Sequence, residues 1–254
     1  MICNYQIEVL RDENHFYDLR GEWSELLATD DNATVFQAWE FLYPHWKYRK
    51  KGRLLYLITL RSNDGKLQAI APFWIQVVRK GITLKIIEFI GTRGLDYLDF
   101  VISRETDTKK VIKTILLFIN NNRKDWDIIS LSELRINSKK IIEDIIMDMG
   151  RKYTFFKCST CVKINLPPAW ENYRKSLGSS TRKDINYDEN RLSKSFDTIF
   201  SVHSDHSPEL LSTVCAIQDI HQDRWLKSGK RGSFSSKWLK DLDKDIIIES
   251  TKKG

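Results

Sequence analysis

Apolar residues recur along this chain with two periods, and the switches between them predict its elements. Phe16, Leu19, Trp23, Leu26 and Leu27 fall at helical spacing and predict an amphipathic helix over about residues 14–28. Trp39, Leu42 and Trp46 predict a second helix, which Pro44 should kink or end, because proline lacks the N–H of the helical ladder. The period then shortens. Residues 54–60 and 67–74 read as strands, and Ser62-Asn63-Asp64-Gly65 between them as the turn of a hairpin. A further strand, 84–90, runs into Gly91-Thr92-Arg93-Gly94-Leu95-Asp96-Tyr97-Leu98-Asp99 and a short extended stretch, 100–102.

Val111, Ile112, Ile115, Leu116 and Ile119 mark a helix with Thr106 or Asp107 as N-cap. Residues 126–131 read as a short strand, and Ile141, Ile142, Ile145, Ile146 and Met149 as a helix that Gly150 stops. Residues 153–166 read as a closing strand. The hairpin must be antiparallel while helix-linked strands can run parallel, so the predicted class is α/β with a mixed sheet.

Pro167-Pro168 marks a boundary. Beyond it, Trp170, Tyr173 and Leu177 share one face of a short helix that Gly178 ends. A basic helix follows over 181–195, then a strand over 196–202. Ser207-Pro208-Glu209 has the cap, proline and acid of a helix start, and the helix it opens carries Leu210, Leu211, Val214, Ile217, His221 and Trp225. After Gly229 and Gly232, Phe234 and Trp238 lead to an apolar run, 245–251, that reads as a strand. The order of Trp-bearing helix, strand and turn matches that of residues 39–65 and predicts an internal duplication. The expected domains are 1–166, whole, and 167–254, the opening of a second copy that stops in mid-hairpin and leaves an exposed edge.

Composition changes this picture little. With 41% apolar and 30% charged residues among 254, the chain should fold rather than stay disordered. It has no apolar run near the roughly 20 residues of a membrane span, and its start lacks the pattern of a signal peptide, so a cytoplasmic location is expected. The spacing of Cys158 and Cys161 invites a metal or redox role, but no second ligand pair accompanies them and no metal is expected. The net charge of +7 is spread among acids. Its densest basic stretches, 47–53 and 174–194, read as solvated faces, with a mild pull on anionic ligands and room for peripheral association. Nucleic-acid binding is the weakest of the function classes considered.

Taken in order, several residues resemble the GNAT-type acyltransferases of the tandem, FemAB-like kind, nearest to those associated with cellulose or exopolysaccharide synthesis. They are Trp39 to Trp46, Ala71-Pro72, and Gly91 followed by Asp96-Tyr97-Leu98-Asp99. Further on come Trp170, Tyr173 and Leu177, the basic helix with Arg182 and Arg191, and His221, Arg224 and Trp225 followed by Gly229, Gly232 and Phe234. The resemblance implies two acyltransferase-like domains, acyl-CoA (most simply acetyl-CoA) as donor, and an amine or hydroxyl of an envelope glycan or precursor as acceptor. It also implies a strand splayed from its neighbour to admit pantetheine and a Gly-rich loop at a helix N-terminus for the pyrophosphate. Gly91-Thr92-Arg93-Gly94 is the nearest loop of that kind but is not followed by a helix, so a working donor site is expected to be missing; the resemblance implies an acyltransferase, with a truncated, non-catalytic acceptor-binding fragment as the alternative.

The resemblance gives the candidate site residues. Asp96 is the candidate base, with Tyr97 as proton donor and His221 as a further catalytic group. Arg93 and Gly94 are the candidate donor contacts, and Asp99, Arg224 and Trp225 the candidate acceptor contacts. Each has a structural alternative: a turn aspartate, a buried aromatic, a capping acid, a core histidine. Trp170, Tyr173 and Trp225 could stack on sugar rings or simply pack. Arg182, Lys183 and Arg191 could meet an anion or line a solvated helix.

Overall fold

Alternation of Ile7 and Val9 with Gln6 and Glu8 produces a strand that the sequence reading passed over, β1 (Gln6–Leu10). A computed structural model describes residues 5–157, 160–203 and 207–252. The chain divides into two units, Met1–Phe156 with His206–Gly254, and Lys157–Asp205.

In the first unit β1 leads to α1 (Glu13–Asp18), capped by the Asp12 carboxylate, and α2 (Arg20–Thr29). One predicted helix is thus two, with a break at Leu19. Helix α3 (Trp39–Arg49) runs through Pro44 rather than ending there. Its position is held by burial: the Trp39 indole donates to the Phe16 carbonyl at 2.9 Å, and Trp39 stacks on Tyr43 with centroids 4.6 Å apart. Packing on this scale outweighs the one ladder bond that proline removes.

The hairpin forms as predicted, from β2 (Arg53–Arg61) and β3 (Leu67–Lys80), with Ile58 opposite Ala71. Then come β4 (Ile82–Phe89) and β5 (Val101–Ile102), both antiparallel to β3. Helix α4 (Thr108–Asn121) starts from an Asp107 cap, and β6 (Ile128–Ile129) lies parallel to β4. Helix α5 (Ile136–Asp148) follows. The sheet order is β1-β2-β3-β4-β6, with β5 on β3, so the mixed-sheet α/β class is what the chain adopts. Its core is aromatic and branched: Phe16, Trp23, Trp39, Tyr56, Phe73 and Trp74 are wholly buried.

The second unit holds α6 (Trp170–Ser176) and α7 (Ser179–Ser195), as the sequence predicts, joined by hydrogen bonds from Arg174 to Asn186 and from Arg182 to the Lys175 carbonyl. Trp170 and Tyr173 face each other at 5.6 Å, and Trp170 remains exposed.

Three predicted strands are absent. The described residues of 153–166 and those of 196–202 are irregular, because an extended run becomes a strand only when a neighbour takes its backbone groups. Val162, Ile199 and Phe200 are accordingly exposed. The run 245–251 belongs to a helix. After α8 (Pro208–Lys227), which Ser207 caps through its hydroxyl, α9 (Lys237–Thr251) continues to Thr251. Its β-branched isoleucines favour a strand locally, but Leu239, Leu242 and Ile246 recur at helical spacing and Leu242 is buried. Asp245 accepts from Lys47 at 2.6 Å and from the Tyr48 hydroxyl at 3.0 Å, and Arg20 donates to Glu249 at 3.0 Å. No open hairpin edge exists there.

Replacing Trp39 by alanine should lower stability by about 3–5 kcal/mol, the range for a buried aromatic. Urea unfolding followed by far-ultraviolet circular dichroism measures it; a loss under 1 kcal/mol would show that α3 is not held by this ring.

Candidate functional site

The strand that runs beside β3 is broken in the middle. Ile90 N–H still bonds the Pro72 carbonyl at 2.8 Å, and pairing resumes only with Val101 opposite Ile70. Residues 91–100 leave the sheet between these points. Next to the break, β4 and β6 pair over Ile86–Ile128 and Ile87–Ile129, and the ladder ends with Ser130 N–H on the Ile87 carbonyl at 2.8 Å. The pairing of β4 with β6 goes no further.

The excursion is backbone under constraint. Gly91 has φ 97°, and a Cβ there would come 2.7 Å from Leu95 Cδ1. Among the described residues three non-glycines have positive φ: Arg93 and Tyr97 in the excursion and Glu133 on the segment leaving β6. Such conformations cost about 1–3 kcal/mol each and collect where function demands a particular shape.

The excursion sends its side chains in different directions. Asp96 is exposed. Tyr97 is half-buried, stacks on Phe36 at 6.2 Å, and its carbonyl accepts from Gln37 Nε2 at 2.8 Å. Asp99 turns inward: it accepts from Phe100 N–H at 2.9 Å and from the Ser138 hydroxyl, with Arg135 at 4.0 Å. Burial pushes its carboxyl up, against the pull of Ser138, the Phe100 N–H and Arg135. Its oxygens tie the excursion to the first turn of α5.

Arg93 and Gly94 open onto a cavity of about 650 Å³. Behind the arginines that line it lie Trp74 and Glu88, directly opposite each other in β3 and β4. The buried Glu88 carboxylate accepts from the Trp74 indole at 3.2 Å and from Arg93 at 2.5 Å. Two more guanidinium groups lie over the Trp74 ring, Arg49 at 5.2 Å and Arg53 at 4.4 Å from its centroid. Arg49 donates to the Thr92 carbonyl at 2.8 Å and Arg53 to the Arg49 carbonyl at 2.6 Å. Burial, reinforced by the Arg53 and Arg93 cations, pulls Arg49 down to about 10, with Glu88 opposing; burial lowers Arg53 as well. Arg49 and Arg53 stay charged at neutral pH. The opposite wall is apolar, from Phe234, Trp238, Leu239, Leu242 and Ile246.

His45 also lines this cavity and is buried. Its Nδ1 lies 2.9 Å from the Phe41 carbonyl, which can only accept, so Nδ1 carries the proton and Nε2 presents a lone pair. A Cβ on Gly94 would sit 3.2 Å from that Nε2 and 3.0 Å from Arg49 Nη1, so glycine here keeps the space open. Burial, helped by Arg49 and opposed by the Phe41 hydrogen bond, lowers the imidazole from 6.5 to about 4.

The remaining candidates lie on α8. The Trp225 indole donates to His221 Nε2 at 2.9 Å, and Phe234 packs edge-on at 5.0 Å, so the lone pair of His221 is engaged. Lys230 lies 5.0 Å over the Trp225 ring. Arg224 is exposed beside a shallow hollow with Ile220 and Lys227. The structure thus groups Arg93 with Gly94, and His221 with Trp225. Cys158 lies outside the described residues, and among those described no cluster of ligands fits a metal ion and no helix is long and apolar enough to cross a membrane.

His45, Arg49, Arg53 and Glu88 were missed by the sequence reading. Two signals pointed to them: the spacing of four residues from His45 to Arg49 to Arg53, and a lone acid in the apolar strand 84–90.

The residues do not fit a pyrophosphate at the expected place. The first helix after the excursion, α4, has its N-terminus filled by Asp107, whose carboxylate accepts from Lys110 N–H at 3.0 Å. Arg104 nearby is spent on the Thr29 and Ala28 carbonyls.

No protein-family model and no characterised protein sequence matches the chain. Among solved structures it is similar to a glucosamine-6-phosphate N-acetyltransferase from Arabidopsis thaliana, at 14% identity over 63% of this chain and 99% of that one, TM-score 0.37. It is also similar to an integron cassette protein from V. cholerae, at 12% over 63% and 93%, TM-score 0.39. A third is an aminoglycoside antibiotic 6'-N-acetyltransferase from Acinetobacter baumannii, at 8% over 64% and 100%, TM-score 0.35. Likeness at this level leaves fold and chemistry to be argued from the chain itself.

The depressed imidazole sets a pH dependence. The folded state holds His45 neutral while the unfolded chain takes a proton near pH 6.5, so its contribution is present above 6.5 and is lost as pH falls toward 4. The loss should reach about 3 kcal/mol at full effect. Urea midpoints at pH 7, 5.5 and 4.5 should fall less steeply for His45→Gln than for the wild type; parallel curves would contradict a buried, neutral His45.

Proposed function

We propose that this chain serves acyl transfer, and that its sheet unit is the side that presents an amine or hydroxyl acceptor. The observation that carries this is the excursion 91–100 out of the strand beside β3, placed next to the end of the β4–β6 ladder. It sets an exposed carboxylate, Asp96, beside Tyr97 on the segment that follows β4, and strand ends are where α/β sheets admit substrates. In the reaction the acceptor attacks a thioester carbonyl and the thiol leaves. Asp96 takes the acceptor's proton, directly or through water, and Tyr97 lies within reach as the proton donor. Arg224 and Trp225 belong to the same reading as acceptor contacts. His221 would have to release Trp225 before acting as a base.

In its finer form the donor is acetyl-CoA and the acceptor an envelope glycan or its precursor. The Asp107 cap favours a donor site supplied from outside the described residues, because a carboxylate at the helix N-terminus repels a pyrophosphate. A second reading, favoured by the short β4–β6 ladder ending beside the excursion, is an enzyme that holds the thioester at that end of the ladder.

Calorimetry separates them. A chain shown to be folded should give no saturable heat with acetyl-CoA, yet bind members of an amino-sugar and saccharide panel, with affinity reduced at least tenfold by Asp96→Asn. Saturable acetyl-CoA binding with thiol release on adding acceptor would establish that enzyme instead. Binding of neither would overturn acyl transfer.

A further inference from the structure

The cavity beside the excursion has a charge imbalance that the acyl-transfer reading does not use. Arg49, Arg53 and Arg93 converge on it, while Glu88 is the carboxylate that meets them, already shared between Arg93 and the Trp74 indole. Lys51 and Asp243 also line the cavity and offset each other in charge; the Asp243 carboxylate accepts from Gln218 Nε2 at 2.8 Å on α8. Arg53 Nε is buried with no hydrogen-bond partner among the described residues. Arg49 and Arg53 are half-buried and Arg93 exposed; guanidinium groups this close repel one another, and the half-buried ones are costly to desolvate unless an anion joins them. Gly94 keeps open the space next to Arg49 and His45 that any side chain would fill. Across the cavity, Trp238, Leu242 and Ile246 of α9 offer an apolar wall instead of further polar groups.

We propose that this cavity is a binding site for a phosphate monoester carried on an apolar or aromatic body, with the phosphate on the arginines and the body against α9. Three arginines and Lys51 set against Glu88 and Asp243 leave two positive charges, which two charges on the ligand match, and arginine forks fit phosphate oxygens in pairs. A carboxylate would leave one cation unmatched. The His45 Nε2 lone pair can take a hydrogen bond from a ligand hydroxyl or from water at the phosphate. The volume of about 650 Å³ admits a ring or a short alkyl chain together with the head group. The site stands on the cavity alone and does not depend on acyl transfer.

Calorimetry at pH 7.5 with phenyl phosphate and decyl phosphate tests this, because both are dianions there and neither is an amine or a thioester. Inorganic phosphate and a hexose 6-phosphate are the comparison ligands. Saturable binding of at least one apolar ester is expected, at least fivefold tighter than the comparison ligands. Arg53→Gln should weaken it at least tenfold. Trp238→Ala should weaken the ester about fivefold and leave inorganic phosphate unchanged; Trp238 is exposed, so this variant keeps the fold if Arg53→Gln does not. Any one of three results would overturn the proposal: no saturable binding by folded protein, binding indifferent to both substitutions, or a hexose phosphate bound as tightly as the apolar esters.

Discussion

A carboxylate buried in a sheet face cannot stand alone, and Glu88 organises much of this molecule for that reason. Left unpaired it would carry the full desolvation cost of a buried charge. It sits opposite Trp74, takes that indole's hydrogen, and draws in Arg93 from the loop that follows its own strand. Arg93 reaches it from a left-handed backbone at φ 64°, a shape that an unconstrained arginine avoids. The pairing therefore has a geometric consequence: it anchors the start of the excursion against the sheet. The Trp74 ring, oriented by the same carboxylate, then gives Arg49 and Arg53 a flat surface to stack on.

The excursion depends equally on β3. This strand keeps partners on both sides of the break, β4 before it and β5 after it, so the chain can leave the sheet at Gly91 and return at Val101 without losing register. Asp99 secures the far end through Ser138 and Arg135, as Arg93 secures the near end through Glu88. Between two such anchors, Asp96 and Tyr97 are held without being buried. The α3–α9 contact closes the cavity on its other side, fastened by Lys47 and Tyr48 to Asp245 and by Arg20 to Glu249.

The parts of this arrangement that were legible in the sequence are those specified by neighbours along the chain. The hairpin was visible in its alternation and turn, and α4 and α8 in their caps and stripes, because a few consecutive residues contain the whole argument. Residues 153–166 and 196–202 alternate as strands do, but alternation states only that one face is apolar; whether a neighbour lies alongside is decided elsewhere. The run 245–251 misled for the opposite reason. Three consecutive isoleucines favour a strand locally, and only Leu239 and Leu242 upstream, together with a docking surface on α3, show the helical period. The arginine cluster was half legible. Its members 49 and 53 were seen as part of a basic stretch and read as a solvated face, since the sequence does not show that Trp74 and Glu88 lie beneath them.

Charge at a surface and charge in a cavity look alike in a sequence and differ greatly in energy. Lys47 and Arg49 are two residues apart, yet Lys47 reaches outward to Asp245 while Arg49 turns in over Trp74. An exposed ion pair of the first kind contributes little. The inward arginines are different: burial pulls both Arg49 and Arg53 down, which means the fold holds them at a cost relative to water. A fold keeps such a cost where something outside the chain offsets it, and an anion entering the cavity would relieve desolvation and mutual repulsion together. The same anion would meet a neutral His45 whose lone pair is free to accept, so the site can hold a head group by charge and orient it by a hydrogen bond. That combination of excess cation, one bare acceptor and an apolar wall sets the chemistry of the ligand more tightly than net charge could.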